Sequence, residues 1–316
     1  MLIDVDSSIP NLALMKLSAQ CKNYGYKVDL FSLGKSAYKK SDPIYIDTSN
    51  YDFAFASVIF ENNKDIINQS DICVGGIGQN YIELPEDIEG LDSDYSIYPD
   101  NDISYGFISR GCIRNCYFCK VPKKEGKLKQ VSTIDRIVKH KKVKFLDNNF
   151  FALPNCVELM KELINKRIHY QFNQGLDIRL LDQEKSTLLS QSKLLGDLIF
   201  SFDDWKYLDI VEEKIRLLYW RAPFTTKFFV YTNAQNDIRE TISRIDWLKD
   251  NQLLPYLMRD INCYSSPHDE FYKDLAAYCN QPGIFKKMTF EEFIRKRQPN
   301  NLSRQKRSME IYYDQG

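Results

Sequence analysis

An α/β fold is predicted for this 316-residue chain: a small doubly wound N-terminal unit, then a partial (β/α)6 TIM-like barrel. Two observations carry it. Between residues 103 and 259, short apolar runs and longer stretches of helical spacing alternate six times, which demands a parallel sheet. Right-handed crossovers curl such a sheet into a full or partial barrel. Ahead of them, brief apolar runs stopped by glycine turns read as parallel strands of a separate unit. An apolar share of 43% is enough to build both cores.

In chain order, residues 2–5 form a strand and 11–24 a helix, with Leu12, Leu14, Met15, Leu17 and Ala19 on one face and Gly25 as its stop. Strands follow at 28–33, 53–60 and 72–74, the last ending in Gly75-Gly76-Ile77-Gly78. Residues 85–102 are rich in acids, Pro, Ser and Asn and read as a linker. After it come strand 105–109, a cysteine segment, helix 132–141, strand 143–147, helix 155–168, strand 170–176 and helix 183–195. Strand 197–202, helix 208–220, strand 227–232, helix 238–251 and strand 254–259 complete the alternation. Ser132 with Asp135, and Asp182 ahead of Gln183 and Glu184, supply helix-start oxygens. The division is therefore 1–84, linker 85–102, barrel 103–281 and a basic helical tail 282–316.

Lys plus Arg (43) balances Asp plus Glu (43), so a polyanionic partner would need a local basic patch. Two stand out: Lys120, Lys123, Lys124, Lys127 and Lys129, and the stretch 295–307 with its run of Lys and Arg and no acid. Solvated lysine on a rim is the competing reading of the first. The N-terminus lacks a signal-peptide pattern, and no stretch approaches the roughly 18 apolar residues of a membrane span. Eight cysteines are too sparse for a disulfide scaffold, so a reducing, cytoplasmic setting is expected.

Three cysteines crowd together as Cys112-Ile113-Arg114-Asn115-Cys116-Tyr117-Phe118-Cys119, a C-x3-C-x2-C spacing directly after a strand. Loops after barrel strands lie at the catalytic face, and three thiolates on one loop leave an iron of a four-iron cluster open. Structural zinc is the alternative, but it wants a fourth ligand, and Cys156, Cys263 and Cys279 stand without a matching knuckle.

Ser109-Arg110-Gly111-Cys112 and this triplet, with the aromatic pair Tyr117 and Phe118, resemble the cluster loop of the radical S-adenosylmethionine (radical SAM) superfamily. The resemblance, spanning about 103–261, implies a 4Fe-4S cluster held by Cys112, Cys116 and Cys119, with S-adenosylmethionine chelated at the open iron. It implies reductive cleavage to methionine and a 5′-deoxyadenosyl radical, which takes hydrogen from substrate, and a low-potential electron donor of flavodoxin or ferredoxin type. For cofactor binding it implies Tyr117, Phe118, Asp147 toward the amino group, Gln174 and Arg179 on the third strand, Asp203 near the ribose, and Thr232 and Asn233. The residues themselves leave alternatives: an Asp-Asn turn for Asp147, a pair with Asp177 for Arg179, and a helix cap for Asp203 and Asp204.

The first hundred residues resemble a Rossmann-like cobalamin-binding domain without its D-x-H-x-x-G signature. No His precedes His140, so cobalamin is not expected. Tyr81 stands where G-x-G-x-x-G needs its third glycine, which argues against a nicotinamide site. Only Cys21 and Cys73 lie in this region, too few for the second cluster of the related methylthiotransferases. The expected substrate is a nucleotide, nucleic-acid base or peptide. A small metabolite is the second reading, and a non-catalytic metal-binding protein gripping nucleic acid through its basic tail is the third.

Overall fold

The computed structural model describes residues 1–34, 43–79 and 84–313; Tyr81 lies outside them. The chain is mixed α/β with parallel sheets and divides into two compact units, Met1–Gly106 with Asp135–His140, and Phe107–Ile134 with Lys141–Gly316.

In the first unit, β1 (Leu2–Asp4), α1 (Leu12–Asn23), β2 (Leu30–Ser32), β3 (Phe55–Ser57) and β4 (Cys73–Gly75) make a parallel sheet of order β2-β1-β3-β4. Ile3, Val5, Ala56, Val58, Ile66, Ile67 and Ile72 form its core. Helix α1 starts where Asn11 accepts a hydrogen bond from the Leu14 N–H, and it presses Leu14 and Met15 inward. The run 53–60 yields only a short strand because Asp6 takes the donors beyond it: its Oδ1 accepts from Ile59 N at 2.7 Å and its Oδ2 from Phe60 N at 3.0 Å. Gly76 sits at φ +106, and a Cβ there would meet the Val58 carbonyl oxygen at 2.3 Å, so the glycine turn is required by close chain approach.

The expected linker 85–102 is structured. It holds α2 (Glu86–Glu89) and a 3₁₀ turn at Tyr95–Ile97. Asp94 accepts from Ser18 Oγ (2.6 Å) and Lys22 Nζ (2.7 Å) of α1, and Tyr98 donates its hydroxyl to Asp4 Oδ2 at 2.7 Å. Composition marked this stretch as polar; its polar groups are spent on fixed partners. Strand β5 (Ile103–Gly106) closes the continuous part of the unit.

The second unit opens with an antiparallel ribbon, β6 (Ser109–Arg110) with β7 (Lys129–Gln130), and between them lies α3 (Val121–Lys124). The helix expected over 132–141 is a single turn, α4 (Ile134–Ile137), whose residues from Asp135 on belong to the first unit. Beyond it the Ser104 hydroxyl accepts from Lys139 N and His140 N, at 2.8 and 2.9 Å, replacing the carbonyls a longer helix would use.

Then follow β8 (Lys142–Phe145), α5 (Cys156–Asn165), β9 (His169–Phe172), α6 (Gln183–Gln191), β10 (Lys193–Leu194), β11 (Leu198–Ser201), α7 (Leu208–Ile215), β12 (Thr226–Thr232), α8 (Ile238–Asp250) and β13 (Leu254–Arg259). Strands β8, β9 and β10 pair in parallel, as do β11, β12 and β13, and a parallel bridge from Leu176 to Phe200 joins the two groups. Phe145, Tyr170, Phe200 and Phe228 are fully buried beneath them.

Helices α9 (Asp269–Cys279), α10 (Pro282–Phe285), α11 (Phe290–Arg297) and α12 (Leu302–Tyr313) complete the unit. The basic tail is a packed element with acidic partners. Asp274, with no exposed surface, accepts from Arg297 Nε and from Arg304 Nε and Nη2, all at 2.9 Å, while Arg304 and Arg307 also pair with Glu270 and Arg295 with Glu291. Charge counted along the sequence suggested a free cationic arm; opposite charges on α9 and α11 neutralise much of it. Among the described residues, no helix is long and apolar enough to cross a membrane.

Candidate functional site

The cysteine segment grows from the β6–β7 ribbon. At its base, Glu125 accepts from Arg110 Nη1 and Gly111 N (3.0 Å each) and from Asn148 Nδ2 (2.7 Å). Gly111 has φ +78, and a Cβ there would stand 2.4 Å from the Lys127 carbonyl oxygen. Only glycine permits that crossing. Cys112 N donates to Gly126 O at 3.3 Å, closing the loop.

Within the loop, burial alternates. Ile113, Asn115 and Tyr117 are exposed, whereas Cys112, Cys116 and Cys119 are half-buried and none is in a disulfide. Burial pushes the Cys116 thiol up; Arg179 pulls against it, and Asp203, Cys119 and Cys112 add to the rise. Among the described residues, no three His, Cys, Asp or Glu side chains already converge as a metal site. The donor set itself, three unbridged thiols on one glycine-closed loop, fits an iron–sulfur cluster. Beside it, the Oδ1 of Asn149, a residue only 2% exposed, has no hydrogen-bond partner.

Several expected cofactor contacts are occupied within the chain. Asp147 is buried, and its carboxylate accepts from Ile108 N (3.1 Å), Ser109 N (2.5 Å) and Ser109 Oγ (2.6 Å). Burial pushes its pKa up to about 6 against those bonds. It anchors the strand leading into the cysteines. Gln174 is exposed on the turn after β9, because that strand ends at Phe172 and the alternation meant to turn Gln174 inward has stopped. Thr232 is buried with its hydroxyl 3.0 Å from Thr241 Oγ1, on α8. Asn233 donates to the Tyr231 hydroxyl at 3.0 Å and accepts from Gln235 N (2.8 Å) and Asn262 Nδ2 (2.5 Å).

Arg179 takes the internal pair: its Nε donates to Asp177 Oδ1 at 2.7 Å and its Nη2 to Asp177 Oδ2 at 3.1 Å, with the guanidinium 4.6 Å over the Tyr207 ring. Arg114, from the cysteine loop, donates to Asp177 Oδ2 at 2.9 Å. Burial raises Asp177, but Arg179 and Arg114 outweigh it and hold the carboxyl below its ordinary value.

On the other side of the loop, Phe118 stacks on Tyr231 of β12 at 4.0 Å and 14°. Tyr117 meets both rings edge-on, and its hydroxyl accepts from Asn236 Nδ2 at 2.6 Å. Tyr231 in turn donates its hydroxyl to Asp260 Oδ2 at 2.7 Å. Tyr117, Asp203, Asp204, Asn236, Asp237 and Glu240 line a polar cleft of about 330 Å³, with Arg244 at its wall. Burial pushes Asp203 up to about 6, against a hydrogen bond from Tyr231 N and the charges of Arg244 and Arg179. Asp204 is the helix-start cap, accepting from Lys206 N at 3.0 Å. The buried Arg244 fork donates to the carbonyls of Phe202 (2.9 Å) and Tyr231 (3.0 Å), pinning the ends of β11 and β12.

Of the residues expected to bind cofactor, Tyr117 and Asp203 line one cleft and Phe118 stacks on Tyr231 beside it, while sequence reasoning passed over Glu125, Arg114, Asn149, Tyr231 and Arg244. For Arg114 the available signal was its place between the first two cysteines, and for Asn149 its place in the run Asp147-Asn148-Asn149. Compared with protein-family models and with curated proteins, the chain matches none.

Proposed function

We propose that this protein is a radical SAM enzyme. The observation that carries the reading is one loop presenting three half-buried, unbridged thiols from a base clamped by Gly111, Glu125 and Asp147. The parallel order β2-β1-β3-β4 favours a Rossmann-like first unit, and the β8, β9, β11, β12, β13 succession favours a partial (β/α) barrel for the second.

In this reading Cys112, Cys116 and Cys119 hold three irons of a 4Fe-4S cluster. The bound group supplies the electron that splits a C–S bond of S-adenosylmethionine, giving methionine and a radical that takes hydrogen from substrate. The chain's own residues do the placing. Phe118 and Tyr231 fix the far half of the loop, Arg114 ties its near half to Asp177, and the cleft beside Tyr117 has the volume of a nucleoside-scale ligand. A low-potential donor of flavodoxin or ferredoxin class delivers the electron. The ion-paired tail favours an enzyme over a nucleic-acid grip of 295–307.

The test is anaerobic loading with iron and sulfide, then addition of S-adenosylmethionine and reductant. 5′-Deoxyadenosine is expected from the wild-type chain and not from Cys116→Ala. A chain that takes up zinc and no iron overturns the reading.

A further inference from the structure

One sulfur of the three has a built hydrogen-bond shell. Cys112 Sγ accepts from the Arg114 backbone N–H at 3.3 Å and from Asn149 Nδ2 at 3.6 Å. Both donors lead to one carboxylate. Arg114 Nε and Asn149 Nδ2 also donate to Asp177 Oδ2, at 2.9 and 3.5 Å. The Asn149 amide is thereby oriented: its NH₂ must face the acceptor-only carboxylate and the sulfur, which leaves Oδ1 as the unpartnered atom. Asp177 is itself held on its opposite oxygen by Arg179 Nε and by its own 3₁₀ turn through Arg179 N at 3.2 Å.

We propose that Asp177 and Asn149 are positioning residues that tune a metal centre at Cys112, Asp177 by holding Asn149 Nδ2, which donates to that sulfur, and the side chain of Arg114, whose backbone N–H donates to it. The inference rests on the cluster reading above. Hydrogen bonds to a ligating thiolate stabilise the more negative, reduced state, so they raise the reduction potential of the centre; outer-layer partners also fix ligand orientation. The negative charge of Asp177 by itself lowers the potential, so its positioning role is read with that charge kept. Electron delivery from an external donor is then easiest when Asp177, Arg114 and Asn149 are all in place.

The test is a redox titration of the loaded wild-type chain, followed by electron paramagnetic resonance, beside Asn149→Ala and the charge-conserving Asp177→Glu, each with iron content measured. The expected result is a lower potential in both variants at unchanged iron content, the larger drop in Asn149→Ala, which removes a donor outright. An Asn149→Ala potential equal to wild type at equal iron content overturns the inference. Should that variant take up no iron, Asp177→Glu, which keeps the charge and displaces the carboxylate, decides by the same criterion. A wild-type chain that binds no iron sinks the cluster reading itself, whereas a wild-type cluster with unmoved variants sinks only the tuning role.

Discussion

Asp147 Oδ1 accepts both the backbone N–H and the hydroxyl of Ser109, at 2.5 and 2.6 Å, so a buried carboxylate beyond the end of β8 holds the strand that leads into the cysteine loop. The family resemblance suggested a cofactor contact, and the residues themselves an Asp-Asn turn. The pairing makes Asp147 a structural anchor with a titration of its own.

That titration has a definite sign. The folded pKa of Asp147, about 6, lies above its ordinary 3.8, so the folded state binds the proton more tightly than the unfolded one. Stability is then expected to fall as pH rises from about 4 to about 6, by about 3 kcal/mol for this group at ~1.4 kcal/mol per unit. Asp203 adds in the same direction. Urea unfolding across this range checks it: Asp147→Asn should flatten the slope, and a variant that keeps the full wild-type slope rejects the assignment.

Gly111→Ala is expected to cost at least ~1–3 kcal/mol, because the added methyl meets the Lys127 carbonyl at 2.4 Å in a left-handed backbone. The neighbour is main chain and cannot swing aside. Thermal unfolding and iron uptake should fall together; an alanine variant as stable as wild type means the loop closes differently.

Phe118 and Tyr231 should be energetically coupled. A double-mutant cycle with Phe118→Ala and Tyr231→Ala is expected to return about 1 kcal/mol for the 4.0 Å stack. Additive single variants would show that the loop does not rest on β12.

The tail gives a contrasting expectation. Arg304→Ala leaves the unexposed Asp274 with Arg297 as its remaining arginine partner, which should destabilise the chain by ~2–3 kcal/mol, short of the ~3–5 kcal/mol for a fully stranded charge. Chemical denaturation measures it. RNA or DNA binding with a steep salt dependence that this variant abolishes would instead restore the nucleic-acid reading of the tail.

Much of the fold was legible because its signals are local. The strand read at 254–259 matches β13, and the helices read at 11–24 and 238–251 match α1 and α8 to within a residue. Caps are short-range contacts: Asn11 reaches Leu14, Asp182 reaches Lys185 and Asp237 reaches Arg239. The helix at 132–141 failed for the opposite reason, since Ser104, about thirty-five residues away, claims the N–H groups that would have continued it.

The cysteine triplet was likewise a local fact, as spacing and residue type are properties of consecutive residues. What Asp147 and Thr232 do was not, whereas the pair of Arg179 with Asp177, two residues away, was among the readings of the sequence. Strand alternation states which side of a sheet a residue occupies but not which donor reaches it first. Ser109 lies 38 residues from Asp147, and Arg114 lies 63 from the Asp177 it shares with Arg179. Residue order therefore established the parallel α/β plan and the loop that carries the thiols. Only tertiary packing decided which of the polar side chains around that loop hold it in place, because a buried carboxylate or hydroxyl bonds to whichever distant backbone the fold brings alongside it.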